Sequence, residues 1–164
     1  MSRGEMIGGG AAALLLTFGT AFVGSRFPVD QWYGQIAKPT WNPPNWLFAP
    51  VWTLLYLSMA AAAWLVWKEH GLVVASIPLG LFVMQLLLNA AWSWIFFGRH
   101  QIGLAAIEIM ILWAAILAVI VTFWPLAPVA GALLIPYLLW VSFAAVLNLA
   151  ILRLNRQPAD RPSG

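Results

Sequence analysis

Charged and polar positions along this chain fall in clusters, and between them lie long runs that are apolar on every face. No charged residue occurs over 6–25, 39–67 or 109–152, and from 70 to 98 the only ionisable side chain is His70, at the edge. A helix needs about 20 apolar residues to cross the hydrocarbon of a bilayer. The stretch 109–152 is too long for one crossing. It is interrupted at Trp124-Pro125-Leu126-Ala127-Pro128, where proline removes an amide donor and restrains the residue before it. The pattern therefore predicts five spans, at about 6–26, 46–67, 73–97, 102–124 and 129–153. The expected architecture is an all-α membrane protein, a five-transmembrane-helix bundle. A β-barrel would need short segments of alternating polarity, whereas these runs are apolar on both parities and rich in Leu and Ala. A cleaved signal peptide is the competing reading of the first run, which has Arg3 and small residues near Val23-Gly24-Ser25. Glu5, Thr17 and Thr20 count against it.

Composition agrees with a lipid solvent. The chain of 164 residues is 63% hydrophobic and 8% charged, against roughly a quarter charged in a soluble domain. The length fits one domain over 1–164. Cysteine is absent, which excludes disulfide and thiolate chemistry. The net charge of +3 is modest, and without a basic face or RNA-binding motif nucleic acid is not expected as a partner. Five spans put Arg3 and Lys68 on one side, and Arg26, Lys38, Arg99, Arg153, Arg156 and Arg161 on the other. In an inner membrane that asymmetry places the C-terminal side in the cytoplasm; the rule does not govern an outer membrane.

The longest connection, 27–45, holds Pro28, Pro39, Pro43 and Pro44, which predict a stiff segment without helix. Trp32, Tyr33 and Trp41 give it an apolar underside. Such a loop folds as a lid over the bundle mouth, or its aromatics form an interfacial belt; composition does not choose. Asn45 is placed to cap the second span, and Pro50 falls near its first turn. Trp52 and Tyr56 share a face, as do Gln85 and Asn89. An amide in hydrocarbon is costly unless paired, and a helix–helix hydrogen bond is the bland account of Asn89. In the last span Tyr137, Trp140, Ala144, Leu147 and Asn148 make one stripe, with Pro136 loosening the helix before it. Ala144 leaves a hollow between Trp140 and Asn148, fit for a flat aromatic ligand or for close helix packing.

Glu108 sits about two turns inside the fourth span. An intramembrane carboxylate is a functional candidate; the alternative is a protonated or snorkelling side chain near the interface. Ser76 and Gly80 form a small-xxx-small pair that suits a helix–helix or homodimer contact. The histidines, His70 and His100, both fall in expected turns. No span supplies an axial histidine, which argues against a b-type cytochrome. No metal site is expected.

Four blocks of residues carry a family resemblance. Trp32-Tyr33 followed by Lys38-Pro39-Thr40-Trp41-Asn42-Pro43-Pro44 resembles the WYxxLxKPxWxPP loop of the translocator protein (TspO/MBR) family. Pro50-Val51-Trp52-Thr53-Leu54-Leu55-Tyr56 is similar to its PVWTxLY helix start. Asn89-Ala90-Ala91-Trp92-Ser93-Trp94-Ile95-Phe96-Phe97 resembles the end of its third helix. Pro136-Tyr137-Leu138-Leu139-Trp140-Val141-Ser142-Phe143-Ala144 with Asn148 resembles its fifth. The blocks keep order and spacing over nearly the whole chain.

The resemblance implies a bacterial-type member, set in the cell membrane or an outer membrane. It implies a homodimeric bundle that needs no resident cofactor and binds a tetrapyrrole such as protoporphyrin in a pocket capped by the first loop. Carried over by motif, the ligand-binding residues are Tyr33, Trp41, Trp52, Tyr56, Asn89, Trp92, Trp140, Phe143, Ala144 and Asn148. The implied role is a sensor or regulator of porphyrin metabolism and stress response. Light-dependent porphyrin degradation, with Trp52 and Trp140 as catalytic residues, is the enzymatic alternative, and transport of porphyrins or other amphipathic molecules is a third. One departure is Leu149, where animal members place a tyrosine of a proposed cholesterol motif, so sterol binding is not implied.

Overall fold

The computed structural model describes residues 2–156, so Arg161, one of the cations in the charge count, lies outside the described residues. Every regular element among them is helical. α1 spans Arg3–Ser25 and α2 Gln31–Gln35. α3 spans Phe48–Ser93, α4 Ile102–Phe123, α5 Pro128–Leu133 and α6 Ile135–Asn155. Four stretches are long and apolar enough to cross a membrane: Arg3–Ser25, Asn45–Gly98, Ile102–Phe123 and Pro128–Asn155. Their outward faces are apolar as well, with Leu15, Leu54, Val73, Ile107 and Val121 all exposed. A helix that is hydrophobic all round calls for a membrane or a larger core around it.

The sequence pattern gives five spans where the structure has four stretches, because 46–67 and 73–97 run into one another as α3. At 46 residues, α3 would be roughly 70 Å long if straight. It is not straight. Gly71 takes φ 69 and ψ 176, a backbone region open essentially to glycine alone. The two arms, 48–70 and 72–93, fold back on each other there. Tyr56 bonds Asn89, and Met59 meets Gln85, pairs nested around Gly71.

α1 packs along α3. The indole N–H of Trp64 donates to the Met6 carbonyl at 3.1 Å, and that of Trp67 to the Glu5 carbonyl at 3.3 Å. Gly9 and Gly10 permit this approach, because a Cβ at either would run into those indole rings. Ser2 and Glu5 cap the first turn reciprocally. A helix built into the bundle in this way is a working part of the fold. α4 lies against the second arm of α3, where Phe82 stacks on Phe123 at 6.0 Å. It also lies against α6, where the Trp113 indole donates to Ser142 Oγ at 2.8 Å.

Three local expectations need correction. Asn45 does not cap a helix: it opens a single 3₁₀ turn, Asn45–Leu47, and no side chain caps α3. The 27–45 connection is not wholly without helix. Asp30 accepts from the Tyr33 amide and starts α2, and the prolines flank that short helix without entering it. His70 lies on the last turn before Gly71, with Nε2 2.6 Å from the Leu126 carbonyl. The break at Pro136 occurs as expected: α5 and α6 are separated at Leu134, whose amide reaches only to Gly131.

Gly71→Ala forces an L side chain into that backbone region, and the expected cost is about 1–3 kcal/mol. Thermal unfolding of the purified protein in detergent, set beside Gly80→Ala at an exposed helical position, measures it.

Candidate functional site

The two arms of α3 and helix α6 are tied together in the core by a chain of polar side chains. Tyr56 Oη donates to Asn89 Oδ1 at 2.8 Å. Asn89 Nδ2 donates to Tyr137 Oη at 3.0 Å, and Tyr137 Oη donates to Gln85 Oε1 at 2.9 Å. Gln85 Nε2 ends the chain on Met59 Sδ at 4.0 Å. All five residues are buried, Asn89 at 4% exposure. Gln85 and Asn89 therefore pair across helices, which is what an amide surrounded by hydrocarbon requires. A second link lies nearer the 27–44 segment. The Trp92 indole donates to Asn148 Oδ1 at 3.2 Å, and Asn148 Nδ2 donates to the Ile102 carbonyl at 3.0 Å.

Above these links lies a cavity of about 520 Å³, within the roughly 300–1,000 Å³ of small-molecule sites. Of the residues singled out from sequence, Tyr33, Trp52, Tyr56, Asn89, Trp92, Trp140, Phe143, Ala144 and Asn148 line it. Trp41 does not. It is 46% exposed and rests edge-on against Phe143 at 5.8 Å, one layer outside the wall. Tyr137 belongs to the same stripe as Trp140, but it lies wholly buried beneath the cavity, 6.2 Å from the Trp52 ring.

The wall contains more than the motifs indicated. Phe18, Ala21 and Ser25 of α1 contribute, a stripe at helical spacing that an otherwise uniformly apolar helix conceals. Phe96 and Phe97 both face inward although adjacent in sequence. Over Trp94–Gly98 the helix widens, with the Arg99 amide reaching back to the Trp94 carbonyl at 2.8 Å. That wide turn rotates neighbouring side chains onto one side. The wall is open between α1 and the start of α3, where Ser25, Ala49 and Thr53 are exposed.

Most polar groups of the wall are already engaged. Ser25 and Thr53 hydroxyls donate to carbonyls of their own helices. The indoles of Trp64, Trp67, Trp92 and Trp113 all have protein acceptors. Those of Trp52 and Trp140 have none among the described residues, and both rings line the cavity. The site thus offers aromatic side chains, two of them indoles whose N–H groups have no acceptor among the described residues. It suits a flat apolar molecule that carries acceptor groups.

Residues 27–44 cross one end of the cavity. Phe27, Pro28, Val29 and Tyr33 face into it. Tyr33 is 3% exposed and donates to Asn42 Oδ1 at 2.9 Å; burial raises its phenol pKa despite that bond. Lys38 Nζ caps the end of α2, donating to the carbonyls of Tyr33 and Ile36, and lies over the Tyr33 ring at 4.9 Å. Asp30 is held below the usual carboxylate pKa, first by the Tyr33 amide and then by His100. Glu108 neither snorkels nor reaches the cavity. It is 7% exposed within the bundle, and both carboxyl oxygens lack a hydrogen-bond partner among the described residues. Ser76 and Gly80 lie on the exposed outer face of α3.

The TspO/MBR family model matches residues 11–154. The chain is 43% identical to the Translocator protein of Homo sapiens over 139 residues, covering 82% of each. It is 40% identical to the Tryptophan-rich protein TspO of Chlorobaculum tepidum over 152 residues, covering 88% of this chain and 94% of that one. It is 37% identical to the Tryptophan-rich sensory protein of Cereibacter sphaeroides over 148 residues, covering 87% and 92%.

Removing the Tyr137 hydroxyl in Tyr137→Phe leaves Asn89 and Gln85 each short of a partner. A double-mutant cycle with Asn89→Ala should give a coupling of about 0.6–1.7 kcal/mol, the range for hydrogen bonds between membrane helices. Unfolding equilibria in mixed micelles measure it.

Proposed function

This chain belongs to the TspO/MBR family, and we propose that it is a five-span membrane protein that binds a protoporphyrin-type tetrapyrrole and acts as a sensor or regulator of porphyrin metabolism and stress response. The five crossings are α1, the two arms of α3, α4, and α5 with α6. The reading places the C-terminus in the cytoplasm of a bacterial cell membrane and takes the working form as a homodimer. The resemblance to the Tryptophan-rich sensory protein of Cereibacter sphaeroides supports the sensory role.

The observation that carries the reading is the cavity. Trp52 and Trp140 lie in its wall with unpaired N–H groups, Ala144 provides the hollow between aromatic walls, and Tyr33 closes one end. A planar macrocycle fits between indole faces, and its carbonyl, carboxylate or imine acceptors meet the N–H donors. Trp41 supports Phe143 from outside and acts on the ligand only through it.

Purified protein should quench protoporphyrin fluorescence saturably. Ala144→Phe fills the hollow, and Trp140→Ala removes a wall. Each should weaken the apparent affinity tenfold or more, about 1.4 kcal/mol. Unchanged saturation in both variants would rule out this cavity as the site.

A second reading is light-dependent degradation of the bound porphyrin, with Trp52 and Trp140 as redox partners. It draws on Trp52 lying 5.5 Å from Tyr56, both in the cavity wall. Illuminated turnover should collapse in Trp52→Phe while dark binding persists. Bleaching at the rate of free porphyrin in detergent would remove the reading. Transport is less well supported, since Glu108, its motivating residue, is absent from the wall.

A further inference from the structure

The cavity has walls that suit an aromatic ring and little that suits a carboxylate. Among the described residues no lysine, arginine or histidine lines it. Its floor is the polar chain, whose groups are already paired. The end crossed by residues 27–44 presents Phe27, Pro28, Val29 and Tyr33. A carboxylate pressed into such surroundings without a cation loses its hydration and gains little in return. An acidic guest is therefore held best with its charged edge at the side opening, between α1 and the start of α3.

That opening lies at a level where charge is tolerated. Ser25 is the last residue of α1, and Ala49 and Thr53 fall within about two turns of the start of α3. Helix ends of this kind belong to the polar margin of the bilayer, where headgroups and water meet the hydrocarbon. The Ser25 and Thr53 hydroxyls donate to carbonyls of their own helices and not to a guest.

Arg26 stands at this rim. It lies between Ser25 and Phe27, both of which line the cavity, while Arg26 itself does not. Its side chain is exposed, and the guanidinium lies 6.0 Å from the ring of Phe22, one turn earlier on α1. The one salt bridge among the described residues joins His100 to Asp30, so Arg26 has no carboxylate partner there. Other cations are placed differently. Lys38 donates to the carbonyls that end α2, and Arg99 lies over Trp94 at 5.2 Å, a ring outside the wall. Arg153 and Arg156 follow the wall residues of α6 and belong to neither helix of the opening.

We propose that Arg26 anchors the acidic edge of the cavity's guest: a planar ligand lies with its apolar body among the aromatic side chains and leaves its carboxylates at the side opening, where the guanidinium pairs with them. The proposal rests on the reading of the cavity as a ligand site, and it narrows the guests to planar aromatic acids. A tetrapyrrole whose carboxylates share one edge has this form, with its ring nitrogens left for the N–H groups of Trp52 and Trp140. A guanidinium meets a carboxylate with two parallel N–H donors, which fixes the direction of the edge as well as adding to binding. Beside Phe22 and the rim of the bundle such a pair is less screened than in open water.

Protoporphyrin and its dimethyl ester present the same ring with and without ionised carboxylates. Fluorescence quenching of each by the purified full chain, in a nonionic detergent that brings no lipid phosphate to Arg26, reads the anchor. Partition into detergent differs between the two ligands and cancels when each is compared between variants. Arg26→Gln should weaken the diacid roughly three- to tenfold and leave the diester unchanged. Arg26→Lys, which keeps the charge without the two-pronged donor, should recover part of that loss. Added salt should weaken the diacid in the parent more than in Arg26→Gln. Arg99→Gln removes the same charge beside Trp94 and should change neither curve, whereas Ala144→Phe should weaken both ligands alike.

Equal weakening of diacid and diester by Arg26→Gln, or no weakening of either, overturns the anchor while saturable binding keeps the cavity reading. An Arg99→Gln effect as large as that of Arg26→Gln also overturns it, since general charge would then account for the difference. If the parent saturates with neither ligand, the cavity reading fails and the anchor fails with it.

Discussion

The hydrogen-bond chain from Tyr56 through Asn89 and Tyr137 to Gln85 is the constraint on which the rest of this bundle depends. In water, apolar surface alone would hold the helices together. In lipid it does not discriminate one helix–helix arrangement from another, because acyl chains are as apolar as leucine. Polar groups that must find partners do discriminate. Asn89 satisfies both Tyr56 on the other arm of α3 and Tyr137 on α6. These three residues therefore fix the register of the α3 hairpin and the height of α6 against it.

The cavity follows from that register. With α6 held at Tyr137, Trp140 and Ala144 come one and two turns further along the same face, beside Trp52 and Trp92. Asn148 then meets the Trp92 indole and the first carbonyl of α4. The amides suggested by sequence as ligand contacts are thus partly committed to architecture: Asn89 and Asn148 line the wall, yet each already holds two helices together. Among the described residues the indole N–H groups of Trp52 and Trp140 have no acceptor, so under the proposed reading shape and these two donors matter more than the amides.

Much of this was legible in the chain because membrane helices leave coarse marks. Charge-free runs, Trp124-Pro125 and Pro136 located helices and breaks within a few residues. The stripe Trp140–Ala144–Asn148 and the pair Trp52–Tyr56 showed which faces carry aromatic and small residues. What sequence did not show has physical reasons. The turn between the second and third spans was legible in the charged cluster Lys68-Glu69-His70, but that the chain reverses at Gly71 alone, with helix running to it on both sides, was not. The wide turn at Trp94–Gly98 breaks the 3.6-residue period that places side chains on faces, and so Phe97 could not be assigned beside Phe96. In α1 every face is apolar, so no periodicity separates Phe18 from Phe22. Trp41 belongs to a motif whose Tyr33 lines the wall, but its own ring packs against Phe143 outside it. The Asn155–Ala37 pair of hydrogen bonds and the His100–Asp30 contact join residues far apart in sequence, which no local pattern records.

The two ends of the bundle are built differently, and the difference bears on what the cavity can do. At the N-terminal end, Trp64 and Trp67 are bonded to α1, His70 to the turn before α5, and the Ser58 hydroxyl to the Leu133 carbonyl at 2.9 Å. Between that end and the cavity stands the polar chain, with Phe82, Phe123 and Met59 packed in the same core. A molecule passing through the bundle would have to break bonds at Asn89 that hold the helices in register, leaving buried amides unpaired in hydrocarbon. At the other end the cavity is crossed by residues 27–44 and opens at the side between α1 and the start of α3. A floor fixed by buried hydrogen bonds suits the receptor reading proposed above, and the alternating access of a carrier, which needs two ends that open in turn, finds less support in it.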